Sequence, residues 1–263
     1  MSPVPAGSGP SGGPPGGPDI LVRAGRLAFG RRVVFDGLTL RLKAGRWTCL
    51  LGPSGVGKSS LLRLIAGLLP GSGDSLAACA DGRPLGGRIA YMAQEDLLLP
   101  WLDVLGNVTF GHRLRREKRS GDLRDRALSL LERVGLQGRW ADRPDTLSGG
   151  MRQRVALVRT VLENRPLVLM DEPFSALDAI TRVRLQDLFA ELLRGRTVLL
   201  VTHDPLEALR LGHRIHVLAG SPASLGSPLE PPGDPPRDLL NPDVLRLQGE
   251  LLAQLSEASG AMP

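Results

Sequence analysis

A glycine-rich stretch in the first quarter of the chain has the spacing that surrounds a phosphate group. Residues 52–59 read Gly-Pro-Ser-Gly-Val-Gly-Lys-Ser and fit the pattern GxxxxGK[ST]. The glycines let backbone N–H groups turn inward, and the start of a following helix adds partial positive charge. The lysine reaches the β- and γ-phosphates of a nucleotide, and the serine hydroxyl suits Mg²⁺. A nucleotide site is therefore predicted at Gly52, Pro53, Ser54, Gly55, Val56, Gly57, Lys58, Ser59 and Ser60.

An acidic pair follows a second apolar run. Leu167 to Met170 is typical of a short buried strand, and Asp171 and Glu172 come directly after it. A carboxylate at the end of such a strand can face a metal ion, so Asp171 joins Ser59 as a predicted Mg²⁺ ligand. The alternative is that Asp171 caps a helix while Glu172 is solvated. The phosphate-binding stretch elsewhere in the chain favours the metal interpretation.

A third segment, residues 147–153, reads Leu-Ser-Gly-Gly-Met-Arg-Gln and begins a predicted helix. Ser148 is a natural N-cap, and a helix N-terminus with small residues such as Gly149 and Gly150 attracts anions. The alternative is an ordinary helix start with two flexible glycines. One nucleotide hardly needs two phosphate-binding segments from the same chain, so the second segment calls for a different explanation.

In their order along the chain, 52–59, then 147–153, then 169–173, the three segments resemble the ATP-binding cassette of ABC transporters, and the resemblance extends over roughly residues 21–218. It implies ATP as the substrate and two cassettes paired head to tail. In such a homodimer, the segment at 147–153 of one chain closes on the ATP of the other. Asp178, at the end of Ser-Ala-Leu-Asp, resembles the D-loop that crosses the interface.

The same resemblance implies roles for further residues. Glu172 corresponds to the general base that orients the attacking water, and His203 to a histidine that contacts the γ-phosphate. Gln94 corresponds to the Q-loop glutamine, which touches Mg²⁺ and water and hinges the helical lobe. Phe29 lies where the family usually has an aromatic residue that stacks on adenine, and an ordinary core position is the alternative for it.

These residues need a framework of alternating strands and helices. The pattern predicts an α/β fold with a mainly parallel core sheet and an antiparallel edge sheet within residues 20–42, and the resemblance implies that this fold is a P-loop NTPase cassette. A helical subdomain is expected at about residues 95–164. Strands are predicted at 47–51, 88–92, 167–170 and 197–202, and helices at 122–134, 181–194 and 243–255, with one more starting at Asp204-Pro205.

The ends of the chain have a different composition. Residues 1–19 are rich in Gly and Pro and are predicted to be disordered, while residues 20–220 form the ATP-binding domain. Residues 221–263 are predicted to be a Pro-rich linker and a short terminal helix, which packs either on the core or on a partner.

Composition excludes several classes of protein. The 263 residues are 42% hydrophobic, enough for a sizeable core, and two cysteines cannot form a disulfide framework. No apolar run reaches the ~18 residues of a membrane span, and the first residues lack a secretory signal. We therefore expect a cytoplasmic protein, bound peripherally to the inner (plasma) membrane through its partners.

The net charge of +6 raises the question of nucleic acid. Basic residues are scattered and not interleaved with aromatic ones, so no nucleic acid partner is expected. A nucleic-acid-associated ABC ATPase and an exporter cassette remain the alternatives to an importer. Nucleic-acid-associated ABC ATPases need long coiled coils, CxxC pairs or tandem cassettes, and exporter cassettes are often fused to membrane segments. The sequence shows none of these features, which favours the importer.

One stretch is informative about the kind of importer. Residues 94–101, together with Asn107-Val108, resemble the subfamily that takes up nitrate, sulfonates, taurine or thiamine-precursor pyrimidines, with a slight lean toward hydroxymethylpyrimidine. The resemblance implies transmembrane permease subunits as partners and, indirectly, a periplasmic or extracellular substrate-binding protein. The apolar residues of this stretch either dock a permease helix or belong to the core.

Overall fold

The computed structural model describes residues 16–70, 76–117 and 121–260, which contain nine strands and eight α-helices. The strands are β1 (Ile20–Phe29), β2 (Arg32–Leu42), β3 (Trp47–Leu51), β4 (Leu76–Cys79), β5 (Ile89–Met92), β6 (Leu167–Asp171), β7 (Thr197–Val201), β8 (Arg214–Ala219) and β9 (Ser224–Leu225). The helices are α1 (Lys58–Ile65), α2 (Val104–Val108), α3 (Phe110–Leu114), α4 (Gly121–Arg133), α5 (Gly149–Leu162), α6 (Ala179–Leu192), α7 (Pro205–Leu211) and α8 (Pro242–Gly260).

A six-stranded sheet in the order β5-β6-β7-β3-β8-β9 forms the centre of the fold. Neighbouring strands from β5 to β8 run parallel, and β9 is antiparallel to β8. Side chains of β7 alternate between two cores: Val198 and Leu200 pack on one face, and Leu199 and Val201 on the other. Both faces are covered, which explains why these strands have continuous apolar sequences. The predicted mainly parallel sheet is confirmed.

A separate antiparallel sheet in the order β2-β1-β4 covers one face of the central sheet together with α1. The predicted edge sheet is therefore confirmed, but strand β4 was not predicted. Its sequence, Leu-Ala-Ala-Cys, has little of the β-branched and aromatic character that marks a strand. It forms because Ile20 to Arg23 offer it a free edge for pairing.

Helices α2 to α5 lie in the region predicted to be helical, and α4 and α5 are the long ones. Helix α4 packs Ala127 and Leu131 into the larger core and ends before Gly135, as the sequence indicates. Residues 93–103 before α2 are irregular rather than helical. The described residues contain no helix that is both long and apolar enough to cross a bilayer.

Residues just before the first strand are attached to the sheet. The Gly17 N–H donates to the Gly195 carbonyl at 2.8 Å, and the Thr197 hydroxyl donates to the Pro18 carbonyl at 2.7 Å. The Asp19 carboxylate pairs with Arg41 at 2.6 Å. The prediction of disorder up to residue 19 is therefore wrong for these three residues, while residues 1–15 lie outside the described part of the chain.

The segment after β8 is packed on the core rather than forming a free linker. All five N–H groups of Arg237 donate to backbone carbonyls at 2.7–2.9 Å. Two of these carbonyls belong to Leu209 and Gly212, at the end of α7. Helix α8 then packs its apolar side chains into the larger core, which decides between the two predicted positions for this helix.

Candidate functional site

The phosphate-binding stretch forms a loop between β3 and α1 that admits only glycine at its two ends. Gly52 has φ of +150°, and a Cβ there would lie 2.3 Å from the Leu218 carbonyl oxygen of β8. Gly57, the N-cap of α1, has φ of +117°, and a Cβ would lie 2.5 Å from Val34 on β2. The loop therefore packs closely against the Leu218 backbone of the central sheet and the Val34 side chain of the edge sheet, and both approaches need a residue without a Cβ.

Lys58 lies inside this loop. Its ammonium donates to the carbonyls of Gly52 at 2.8 Å and Pro53 at 2.9 Å. Burial lowers the pKa of Lys58, while the nearby carboxylates of Glu172 and Asp171 act in the opposite direction. The lysine is thus a buried cation between the glycine-rich loop and the acidic pair, where it can meet phosphate oxygens.

Asp171 is the last residue of β6 and is almost fully buried. Burial raises the pKa of its carboxyl group, and a hydrogen bond from the Ser59 hydroxyl opposes that shift. Ser59 and Asp171 therefore place two oxygen donors side by side, and oxygen is what Mg²⁺ prefers. The described residues contain no cluster of three or more His, Cys, Asp or Glu side chains fit for a metal. The pair fits an ion that keeps most of its ligands from phosphates and water.

Glu172 begins a strained turn next to this pair. Its φ is +48°, a left-handed conformation that non-glycine residues rarely adopt. Its N–H donates to the Val201 carbonyl at 2.9 Å, while its own carbonyl accepts from Gln153 Nε2 and Ser175 Oγ, both at 3.0 Å. The turn holds the carboxylate at the carboxyl edge of the parallel sheet, where ligands bind in such folds.

Three predicted catalytic residues meet at this carboxylate. His203 Nδ1 lies 3.1 Å from Glu172 Oε2, and Gln94 Nε2 lies 3.5 Å from the same oxygen. The Glu172 side chain is 17% exposed and that of His203 is 63% exposed, so the carboxylate is sheltered and the imidazole is open to a ligand. The Gln94 side chain contacts Glu172 rather than Ser59 or Asp171, so its role as a metal ligand stays a prediction.

Gln153 is a site residue that sequence reasoning missed. It is buried, its Nε2 donates to the Glu172 carbonyl, and its Oε1 accepts from the Ala176 N–H at 2.8 Å. It therefore joins α5 to the turn that carries Glu172. The available signal was its place at the end of the 147–153 segment, of which only residues 148–150 received roles.

The start of α5 is presented to the outside. Ser148 is the N-cap and accepts from the Met151 N–H at 3.3 Å. Ser148 and Gly149 are exposed, whereas Gly150 is held close to the Ala176 carbonyl. Within one chain the segment is thus an ordinary helix start. Its exposed residues are free to contact a nucleotide bound to a second chain.

The loop after Gln94 is fastened to the same helix. Arg152 Nε donates to the Asp96 carboxylate at 3.0 Å, and Arg159 donates to the Asp96 and Leu97 carbonyls at 2.5 and 2.9 Å. Leu97 and Trp101 are 57% and 66% exposed, whereas Leu98 packs on the larger core. The apolar stretch is therefore divided between a surface and the core.

Two predicted residues lie near the site without entering it. Asp178 is the N-cap of α6, and the hydrogen bond from the Thr181 N–H lowers the pKa of its carboxyl group. Phe29 is half-exposed at the end of β1 and pairs with Arg32, which donates to the Gly55 carbonyl at 2.9 Å. The β1–β2 hairpin thus touches the phosphate loop, and stacking of Phe29 on adenine stays a prediction.

Residues 35–175, more than half of the chain, match the family described as ABC transporter. The chain belongs to the ABC transporter family. An uncharacterized ABC transporter ATP-binding protein of Haemophilus influenzae is 44% identical over 87% of this chain and 95% of the relative. An aliphatic sulfonates import ATP-binding protein of Nocardia farcinica is 42% identical over 88% of this chain and 89% of the relative.

A solved structure gives the same result. A dimeric ATP-binding cassette in a post-hydrolysis state, bound to ADP and Pi, matches this ABC cassette with a TM-score of 0.71 and 29% identity, over 81% of this chain and 99% of the other. The predicted family, fold and ATPase activity are confirmed. The slight lean toward hydroxymethylpyrimidine gains no support from the named relatives, several of which are sulfonate import proteins.

Proposed function

We propose that this ABC cassette is the ATP-hydrolysing subunit of an importer for aliphatic sulfonates. The observation that carries the catalytic part is the meeting of His203 and Gln94 at the Glu172 carboxylate, beside Lys58 and Asp171. The names of its relatives support the class of cargo.

Substrate binding begins at the glycine-rich loop. Its backbone N–H groups and the start of α1 bind the β- and γ-phosphates of ATP, and Lys58 exchanges the carbonyls of Gly52 and Pro53 for phosphate oxygens. Ser59 and Asp171, with Gln94 nearby, would hold Mg²⁺, which when bound supplies positive charge to the phosphate oxygens. The β1–β2 hairpin brings Phe29 to the nucleotide base.

Hydrolysis is assigned to the acidic turn. The Glu172 carboxylate orients a water and accepts its proton as the water oxygen attacks the γ-phosphorus. The bond from the γ-phosphorus to the bridging oxygen breaks, which leaves ADP and phosphate. His203 fixes the carboxylate and hydrogen-bonds the γ-phosphate, and Gln94 holds the water from the other side.

The second chain completes the site. Ser148, Gly149 and Gly150 of one cassette face the γ-phosphate bound to the other, and Asp178 lies at the interface between them. ATP then has a higher affinity for the closed dimer than ADP has, and this difference drives closure and reopening. The loop after Gln94 transmits the motion to permease subunits in the membrane, which a substrate-binding protein supplies with cargo at the opposite face.

The test uses the full chain with the permease and binding protein of an aliphatic sulfonate importer, reconstituted in proteoliposomes. An alkanesulfonate should stimulate ATP hydrolysis and be taken up, whereas hydroxymethylpyrimidine should do neither. Glu172→Gln should still bind ATP and accumulate as an ATP-bound dimer, with turnover lower by about 10²- to 10⁴-fold, the range for loss of a general base.

The control is Glu191→Gln, because Glu191 forms an exposed ion pair with Arg133. It should keep wild-type turnover. Normal turnover in Glu172→Gln would refute the catalytic assignment, and stimulation by the pyrimidine instead of the sulfonate would refute the cargo.

A further inference from the structure

A cavity of about 20 Å³ lies against the catalytic turn, between the end of β7 and helices α6 and α7. It is lined by Glu172, Ser175, Arg182, Thr202, His203, Asp204 and Glu207. A space of about 10–15 Å³ is enough for one water if polar partners surround it. This cavity meets both conditions, and it reaches the residue assigned as the catalytic base.

Two buried polar atoms of the residues that line it have no hydrogen-bond partner among the described residues. They are Glu207 Oε1 and Arg182 Nε. The other nitrogens of Arg182 are engaged, with the Asp204 carboxylate at 3.4 Å and the Leu177 carbonyl at 3.1 Å. Glu207 is only 5% exposed. A buried donor or acceptor without a partner is unfavourable, and an ordered water in the adjoining cavity would satisfy both atoms.

We propose that the cavity is a binding site for one water molecule, and that Glu207 is a positioning residue that acts through this water on Glu172. The role of Glu172 as the catalytic base, on which this inference rests, belongs to the proposed function.

The hydrogen-bond donors and acceptors around the proposed water match in number if the Glu207 carboxyl group is neutral. Burial, together with the negative charges of Asp204 and Glu172, raises its pKa to about 8, although Arg182 and a hydrogen bond from Thr202 oppose the shift. The remaining titratable groups around it are His203, on the cavity wall, and the buried Cys49 thiol of β3. At neutral pH the carboxyl group therefore keeps its proton and can donate a hydrogen bond.

The geometry of the water follows from this balance. Its oxygen accepts from the Glu207 O–H and from the Arg182 Nε–H. Its two hydrogens are left for acceptors on the same wall, the carboxylates of Asp204 and Glu172. Glu172 is thereby held by the water as well as by His203 and Gln94, which contact its Oε2.

The test compares three variants of the full-length chain in the reconstituted transporter. Glu207→Leu removes the hydrogen bonds of the side chain, and kcat should fall about tenfold with an unchanged KM for ATP, the effect of one lost hydrogen bond. Glu207→Gln keeps a donor and an acceptor and should restore kcat to within twofold of wild type. Asp187→Asn cuts a contact between α6 and Arg210 of α7 away from the cavity and should turn over normally.

A pH profile separates this role from a structural one. Wild-type kcat should fall as pH rises above about 8, because Glu207 then loses the proton that it donates. Glu207→Gln carries no such proton and should not show that fall. If Glu207→Leu does not fold, this comparison alone decides the question.

Three results would overturn the proposal: wild-type turnover in Glu207→Leu, an equal loss in Asp187→Asn, or the same alkaline profile in wild type and Glu207→Gln. Glu172→Gln is assayed in parallel. Retained turnover in that variant would count against the proposed function, whereas the three results above concern only the water and Glu207.

Discussion

Gly52 shows how a single missing side chain supports the nucleotide site. The carbonyl of Leu218 approaches its Cα so closely that a methyl group would lie 2.3 Å from the oxygen. The glycine therefore allows β8 to support the floor of the phosphate loop. Its positive φ is a second reason why this position needs glycine, since other residues are strained in that conformation.

We expect Gly52→Ala to lower ATP affinity about tenfold or more and the free energy of unfolding by about 1–3 kcal/mol, because the loop or β8 must move. Isothermal titration with ATP and urea unfolding measure the two effects. Gly249→Ala is the control, because Gly249 lies in α8 with open space around it. It should bind ATP normally and be slightly more stable. Unchanged ATP affinity in Gly52→Ala would refute the importance of this contact.

At the residue level, the sequence predicted the side chains that would face the nucleotide but not the buried side chains that position them. The resemblance gave a role to each of Glu172, His203 and Gln94. Their side chains lie in contact in the structure, and the roles themselves stay predictions. Gln153 and Glu207 were missed because a buried amide or carboxyl group has no distinctive spacing in the chain. Their partners are a backbone carbonyl and a cavity, which exist only once the fold has formed.

Among the elements, the strands that are buried on both faces were the easiest to predict. Strands β3, β6 and β7 are mostly apolar and buried at every position, and they were placed to within one residue. Strand β8 was missed because Arg214 and His216 interrupt its apolar pattern. Helix α6 begins two residues earlier than predicted, since Asp178 rather than a later residue is its cap.

Helix α5 offers the sharpest test at this level, because its exposed start should serve the partner's ATP. Mixing a Ser148→Arg chain with a Lys58→Ala chain leaves one composite site with both an intact loop and an intact signature. We therefore expect ATP hydrolysis above that of either mutant homodimer, measured by phosphate release.

The matched mixture combines wild type with a chain that carries both substitutions. In a head-to-tail dimer of these two chains, each composite site contains one damaged segment, so the mixed dimers should be inactive. The measured activity should then equal that of the wild-type homodimers alone, with no contribution from the mixed dimers. The opposite pattern would mean that each chain uses its own signature segment. Both mixtures contain the same two substitutions, so a general loss of stability cannot imitate the difference.

For the whole molecule, the buried carboxyl group of Glu207 links folding to pH. Its pKa is about 8 in the folded chain, against an ordinary value of 4.5. Between these values the unfolded chain releases the proton and the folded chain retains it. Stability therefore falls as pH rises through this window, by up to about 1.4 kcal/mol per pH unit.

Glu207→Gln has no proton to lose, so its free energy of unfolding should rise relative to wild type from about pH 5 to pH 8 and then stay level. Urea unfolding of both proteins at several pH values measures this difference, and groups common to both cancel. Parallel curves for the two proteins would show that Glu207 is ionised in the folded state.

The largest departure from expectation at this scale concerns the Pro-rich segment. Its composition predicted a linker, because prolines and few apolar residues suggest exposure. The segment is nevertheless packed on the core, because the Arg237 guanidinium donates hydrogen bonds to five backbone carbonyl groups. No periodic sequence pattern predicts such an arrangement.

That arrangement limits where the protein can be shortened or extended. Cutting the chain before Arg237 would strip five backbone acceptors of their donor and remove α8 from the core at the same time. A purification tag or a fused reporter therefore belongs beyond residue 260, and a stop codon upstream of 237 would yield an insoluble fragment rather than a trimmed ATPase.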